Sequence, residues 1–153
     1  MFDECHGLVF RTAYRITGNP ADAEDVLQAV FLRLLRRDRS AEPVDNPESY
    51  LRRAAINVAL DTVRAREEAR NVPLEEPPPK SGDQREVRDC LRTALSKLNP
   101  RSAEIFALRF FEGYTNPEIA RMVGMSQVHV GVSLHRTRKQ LQKEVKSYMG
   151  GKA

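Results

Sequence analysis

No run of apolar residues in this 153-residue chain approaches the roughly 20 needed to cross a bilayer as a helix. The N-terminus also lacks a basic start followed by an apolar core, so neither membrane insertion nor export is expected. There are only two cysteines, Cys5 and Cys90, and they show no metal-ligand spacing. A pair in a chain of this size reads as free buried thiols rather than a disulfide framework, which favours the cytoplasm. No stretch alternates long enough to predict a strand, and there is no internal repeat or low-complexity tract apart from one proline cluster. The three histidines, His6, His129 and His135, fall on helical stretches without a nucleophile, base and orienting group to complete a catalytic set. An enzyme is therefore not expected, and neither a metal nor another cofactor is called for.

What is present is helical periodicity with a basic balance. The formal net charge of +4 fits a polyanion partner. The most informative stretch is YTNPEIARMVGMSQVHVGVSLHRTRKQL, residues Tyr114 to Leu141. Thr115 with Glu118 three residues on forms a capping box, and Pro117 suits a first helical turn. Ile119, Ala120 and Val123 share one helical face. Gly124 supplies a left-handed stop, Met125 plugs the turn, and Ser126 is placed to cap the next helix. That helix should bury Val130, Leu134, Thr137 or Arg138, and Leu141. Gln127, Val128, His129, Gly131, Val132, Ser133 and Arg136 are then left facing outward. This is a helix-turn-helix pattern, whose outward face fits a DNA major groove. An ordinary helical hairpin in an all-α core is the alternative. The basic continuation through Arg136, Arg138, Lys139, Lys143 and Lys146 favours DNA, because such an arm contacts phosphates.

Earlier in the chain, residues from about Phe2 to Thr17 have helical spacing, and Gly18 is placed to end that helix. Asn19 and Pro20 restart the chain as cap and first-turn residue, with Asp22, Glu24 and Asp25 where a helix dipole favours negative charge. With no matching His or Cys set, this acidic cluster reads as capping and not as a metal site. Val26, Leu27, Val30, Phe31, Leu34 and Leu35 form a broad apolar face. Asn46 and Pro47 open a third helix with an apolar face and a basic one, and the basic face also carries Asn57 among its arginines. Between Asn71 and Gly82 the segment NVPLEEPPPKSG holds four prolines without periodicity, and reads as an exposed connector. Two further helices, around Val87 to Leu98 and Ile105 to Phe110, are expected to back the helix-turn-helix. The fold class is thus all-α: two small helical domains, residues 1–70 and 83–153, joined by a Pro-rich linker at 71–82. Residues from Ser147 onward, with two glycines near the chain end, are expected to fray.

AYRITGNPADAEDVLQAVFLRLLR followed by ESYLRRAAINVALDTVRAR resembles region 2 of the bacterial sigma-70 family. LRTALSKLNPRSAEIFALRFFEGYTNPEIARMVGMSQVHVGVSLHRTRKQL resembles its region 4, a winged-helix-like helix-turn-helix domain. Both in this order across a short linker resemble the extracytoplasmic-function group, the smallest members of that family. The resemblance implies a transcription-initiation factor that binds core RNA polymerase, directs it to particular promoters and helps melt the DNA. It implies that Asp25, Gln28, Phe31, Leu32 and Leu35 dock on a coiled coil of the polymerase. It implies that Asn46, Tyr50, Arg53 and Asn57 hold an unstacked base and its phosphates at the downstream promoter element. It also implies that the outward face of the last helix, with Gln127, Val128, His129, Val132, Ser133 and Arg136, reads an upstream element. An anti-sigma protein is an expected partner.

The chain departs from the family's pattern in four places. Tyr50 stands where tryptophan is usual, which keeps an aromatic face. The N-terminal helix is expected to be shortened, and Ala29 replaces a typically acidic residue. Gly131, Val132 and Ser133 replace a Lys or Arg, a Ser and an Arg, so two cations available for phosphate or guanine contacts are lost. Two other functions compete: a regulator that uses the helix-turn-helix alone, and a sigma-like decoy that binds an anti-sigma protein without initiating transcription.

Overall fold

The computed structural model describes residues 2–37, 46–70 and 83–150. They form seven helices: α1 (Phe2–Thr17), α2 (Pro20–Arg36), α3 (Pro47–Arg70), α4 (Asp83–Ser96), α5 (Pro100–Phe110), α6 (Asn116–Val123) and α7 (Gln127–Gly150). The connector at 71–82 and the loop ending at Asp45 lie outside the described residues. Among the described residues there is no strand, so the helix-turn-helix is backed by helices alone. Helix α7 runs to Gly150, and residues 151–153 lie outside the described residues.

Local chemistry sets the helix starts. The Asn19 side chain accepts hydrogen bonds from the Ala21 and Asp22 backbone N–H groups at 2.8 and 3.2 Å, with Pro20 in the first turn. Asn46 accepts from Ser49 N–H at 3.2 Å, and Asn99 from Arg101 N–H at 2.9 Å. At α6 the capping box is complete: Thr115 Oγ1 accepts from Glu118 N–H at 3.3 Å, and Glu118 Oε1 accepts from Thr115 N–H at 2.9 Å. Gly124 ends α6 at φ 70°, a left-handed backbone that only glycine adopts without strain. Ser126 Oγ then accepts from His129 N–H at 3.1 Å and starts α7.

Helix α1 packs on α2 and α3, while α7 packs on α4, α5 and α6. Val9, Ile16, Val26, Val30, Ile56 and Leu60 are fully buried in the first half, as are Leu95, Ile105, Leu108, Ile119 and Val130 in the second. Each large aliphatic side chain so buried stabilises the fold by about 1.5–3 kcal/mol. The two halves are not separate in packing. Helix α3 also lies against α4 and α5, and buried residues from both halves form one cluster. Asp22 does more than place a negative charge in the first turn of α2. It is buried and ion-paired to Arg66, tying the start of α2 to α3. Both cysteines are free thiols, with Cys90 buried and Cys5 half-buried.

Candidate nucleic-acid and protein interfaces

Helix α7 has two chemically different faces. Val130, Thr137 and Leu141 are buried and Leu134 is half-buried against the core, as the 3.6-residue period requires. Arg138, offered as an alternative to Thr137, is exposed, with its guanidinium 5.3 Å from the Phe110 ring centroid. On the outer face Gln127, His129 and Arg136 are exposed and Ser133 is half-buried. Val128 is 73% exposed and Val132 42%. Two β-branched side chains one turn apart thus stand in solvent beside polar neighbours.

Helix α2 carries a second exposed stripe. Asp25, Gln28, Leu32 and Leu35 follow one another at spacings of three and four and are all exposed, Leu32 by 51% and Leu35 by 81%. Leu34, which had no assigned role, is 37% exposed beside them. Phe31 is different. It is half-buried against the core and does not join the stripe. Ala29 also packs against the core, so an apolar residue suits its position.

On α3, Asn46, Tyr50, Arg53 and Asn57 line one face at spacings of four, three and four. Its two ends meet different surroundings. Asn46 is exposed at the cap, and Tyr50 is half-buried with the Arg37 guanidinium 5.2 Å from its ring centroid. Arg53 and Asn57 both turn onto Glu104 of α5. Arg53 Nε donates to Glu104 Oε2 at 3.0 Å, and Asn57 Nδ2 donates to the same oxygen at 2.8 Å. Arg53 Nη1 also donates to the Met122 carbonyl at 2.7 Å. Glu104 is only 3% exposed, so these bonds offset the cost of burying its charge. A second carboxylate repeats the arrangement. Glu112, its side chain fully buried, accepts from Thr12 Oγ1, from Arg15, and from Arg52 Nη1 at 3.0 Å. Burial alone would lower the Arg52 pKa; the hydrogen bond to Glu48, with the charges of Tyr114, Glu112 and Glu48, outweighs it and the net shift is upward.

Neither glutamate was singled out from the sequence. Glu104 left one signal, a lone carboxylate in the otherwise apolar run from Ala103 to Leu108. Among the described residues, no group of three or more His, Cys, Asp or Glu could hold a metal ion, and no helix is long and apolar enough to cross a membrane.

The described residues are thus all-helical, with α6 and α7 in a helix-turn-helix arrangement of the kind DNA-binding proteins use and an exposed leucine stripe on α2. Comparison with known proteins identifies the family. The model of sigma-70 region 2 matches residues 1–69, and that of sigma-70 region 4 matches residues 88–141. The chain belongs to the sigma-70 family of RNA polymerase sigma factors, in its extracytoplasmic-function group. Sigma factors are transcription-initiation factors and not enzymes. The chain is 35% identical over 144 residues to the ECF RNA polymerase sigma factor SigE of Mycolicibacterium smegmatis, covering 87% of this chain but 55% of that protein. It is 33% identical over 141 residues to the RNA polymerase sigma-E factor of Streptomyces coelicolor, covering 90% and 79%. Among solved structures, the sigma factor RpoE in complex with the anti-sigma factor NepR from Bartonella quintana matches with a TM-score of 0.55 at 18% identity, covering 93% of this chain and 92% of that one. The extracytoplasmic-function sigma factor SigJ of Mycobacterium tuberculosis matches with a TM-score of 0.54 at 22% identity, covering 92% and 53%. At such identities these two structures speak for the fold alone.

Proposed function

We propose that this chain binds core RNA polymerase through the α2 stripe and directs it to promoters that α3 and α7 read, acting in the cytoplasm under an anti-sigma protein. In this reading residues 1–70 dock on the polymerase and open the downstream element, and residues 83–153 read the upstream one. The observation that carries it is the stripe itself: Leu32 and Leu35 stand in solvent on a helix whose opposite face is buried, as a helix docking on another protein's coiled coil requires. Family membership supplies the identity of that partner. The experiment is reconstitution with core polymerase and genomic DNA of the source organism, followed by mapping of transcript starts. Polymerase binding with defined starts is the expected result. Binding without transcripts would point to a decoy, and neither to a regulator that works through α7 alone.

Each reading surface has its own expected signature. Asn46, Tyr50, Arg53 and Asn57 combine amide, aromatic and guanidinium groups suited to an unstacked base and its phosphates. Asn57→Ala should therefore lower open-complex formation more than closed-complex binding. Equal permanganate reactivity of promoter thymines in variant and parent would count against it. On α7, Val128 and Val132 are placed to pack on thymine methyl groups, with Gln127, His129, Ser133 and Arg136 supplying polar contacts around them. Val132→Lys assayed with polymerase against a randomised upstream element should change the thymine preference. An unchanged preference with lost anti-sigma affinity would assign the face to a protein partner instead.

A further inference from the structure

The end of α5, the start of α6 and one flank of α7 enclose a cavity of about 250 Å³ that promoter reading does not use. Its floor is apolar. Phe110 is 43% exposed and is backed by the buried Phe106 ring, 4.7 Å away between centroids, and Leu134 lines the same space. Spacings of three and four put Gly131, Leu134 and Arg138 on one flank of α7. Gly131 contributes no side chain to fill the space, and a Cβ built there meets nothing within 4 Å. The rim is cationic. Arg109 and Arg138 are exposed, with their guanidinium groups 5.7 and 5.3 Å from a Phe110 ring centroid. Among the described residues neither has a carboxylate partner. Asn116 also lines the cavity, and its Oδ1 is buried without a donor.

We infer that this cavity is a binding site for a small aromatic acid that carries an N–H or O–H donor next to its carboxylate. Each part of the site asks for one part of that ligand. Two guanidinium groups without a counter-ion call for an anion, and a carboxylate accepts hydrogen bonds from both. An inorganic anion alone would leave the exposed Phe110 ring in water, whereas an aromatic ring covers it. A cavity of about 150 Å³ is enough for one benzene ring, so about 250 Å³ suits one substituted ring and is small for a nucleotide. The ligand's own donor then supplies the hydrogen bond that Asn116 Oδ1 lacks. A molecule held in this way touches α5, α6 and α7 at once and braces the helix-turn-helix. The site goes beyond promoter recognition and does not depend on it.

The test follows the backbone amide resonances of the full chain by two-dimensional NMR as 2-aminobenzoate is added, with benzoate, aniline and inorganic phosphate as controls. Shifts should centre on Phe110, Asn116 and Gly131. 2-Aminobenzoate should bind about fivefold more tightly than benzoate, which lacks the donor, and aniline, which lacks the carboxylate, should not bind. Asn116→Ala should bring 2-aminobenzoate down to the affinity of benzoate, while Arg138→Gln weakens both. Gly131→Leu, which fills the cavity, should abolish the shifts. If circular dichroism shows lost helix in that variant, Arg138→Gln, at an exposed position, serves in its place. Absence of shifts at these residues, or an equal response to benzoate and aniline, overturns the site. Phosphate binding as tight as that of 2-aminobenzoate also overturns it, because the two arginines would then form a bare anion seat of the kind a nucleic-acid backbone fills.

Discussion

Gly131 is a helix-interior glycine in α7 with no structural demand for being one. Its backbone is helical, and a Cβ built there meets nothing within 4 Å. Glycine in such a position is less favourable than alanine by about 0.8–1.0 kcal/mol, because it loses more backbone freedom on folding. The site borders a shallow cavity lined by Phe110, Leu134 and His135, so the added methyl meets no steric obstacle. Gly131→Ala is therefore expected to stabilise the fold by about 1 kcal/mol, which for a chain of this size raises the melting midpoint by roughly 2–4 °C. Urea unfolding followed by circular dichroism should show a higher midpoint with an unchanged slope. A fall in midpoint would refute the reasoning, since it would mean that the space beside Gly131 is occupied. An unchanged midpoint would refute the helix-propensity argument instead.

The α2 stripe makes two neighbouring residues behave differently. Leu35→Ala should leave thermal stability within about 0.5 kcal/mol of the parent and weaken polymerase binding, whereas Phe31→Ala should lower stability because its ring packs on the core; calorimetry beside a polymerase pull-down separates them, and a destabilised Leu35→Ala would remove it from the interface. At α6 the Glu118 carboxyl is held below its usual range, first by the Thr115 backbone N–H and then by the Thr115 side chain and Arg121, with burial opposing. A folded-state pKa below the unfolded one adds stability that is present above the unfolded value and lost as pH falls through the folded one. The stability deficit of Glu118→Ala should accordingly be full at neutral pH and narrow as the pH drops below about 4; a deficit independent of pH would show that the charge plays no part in the cap.

Much of this fold is written locally. Asn19 with Pro20, Asn46 with Pro47, and Thr115 with Glu118 start their helices through hydrogen bonds spanning two or three residues, so the same few residues predict and form each start, and Asn99 starts α5 by the same chemistry. Gly18 and Gly124 stop theirs with left-handed backbone for the same local reason. The inner and outer faces of α7 also follow from spacing, since a helix period read from one segment places Val130 and Leu141 inward and Val128 outward. Other features depended on which segments meet. Asp22 looked complete as a capping residue, yet its ion pair is with Arg66, 44 positions away. Phe31 belonged by pattern to the broad apolar face of α2, and only packing divided that face into a core side and the exposed stripe of Leu32 and Leu35. The engagement of α3 is the clearest case. Arg53 and Asn57 reach Glu104 across 51 and 47 positions, and Arg52 reaches Glu112 across 60. Charge and helical period reveal that such residues share a face. What meets that face is decided by how the halves of the chain pack, and the spacing of residues along one helix carries no information about another docked from a distant part of the sequence.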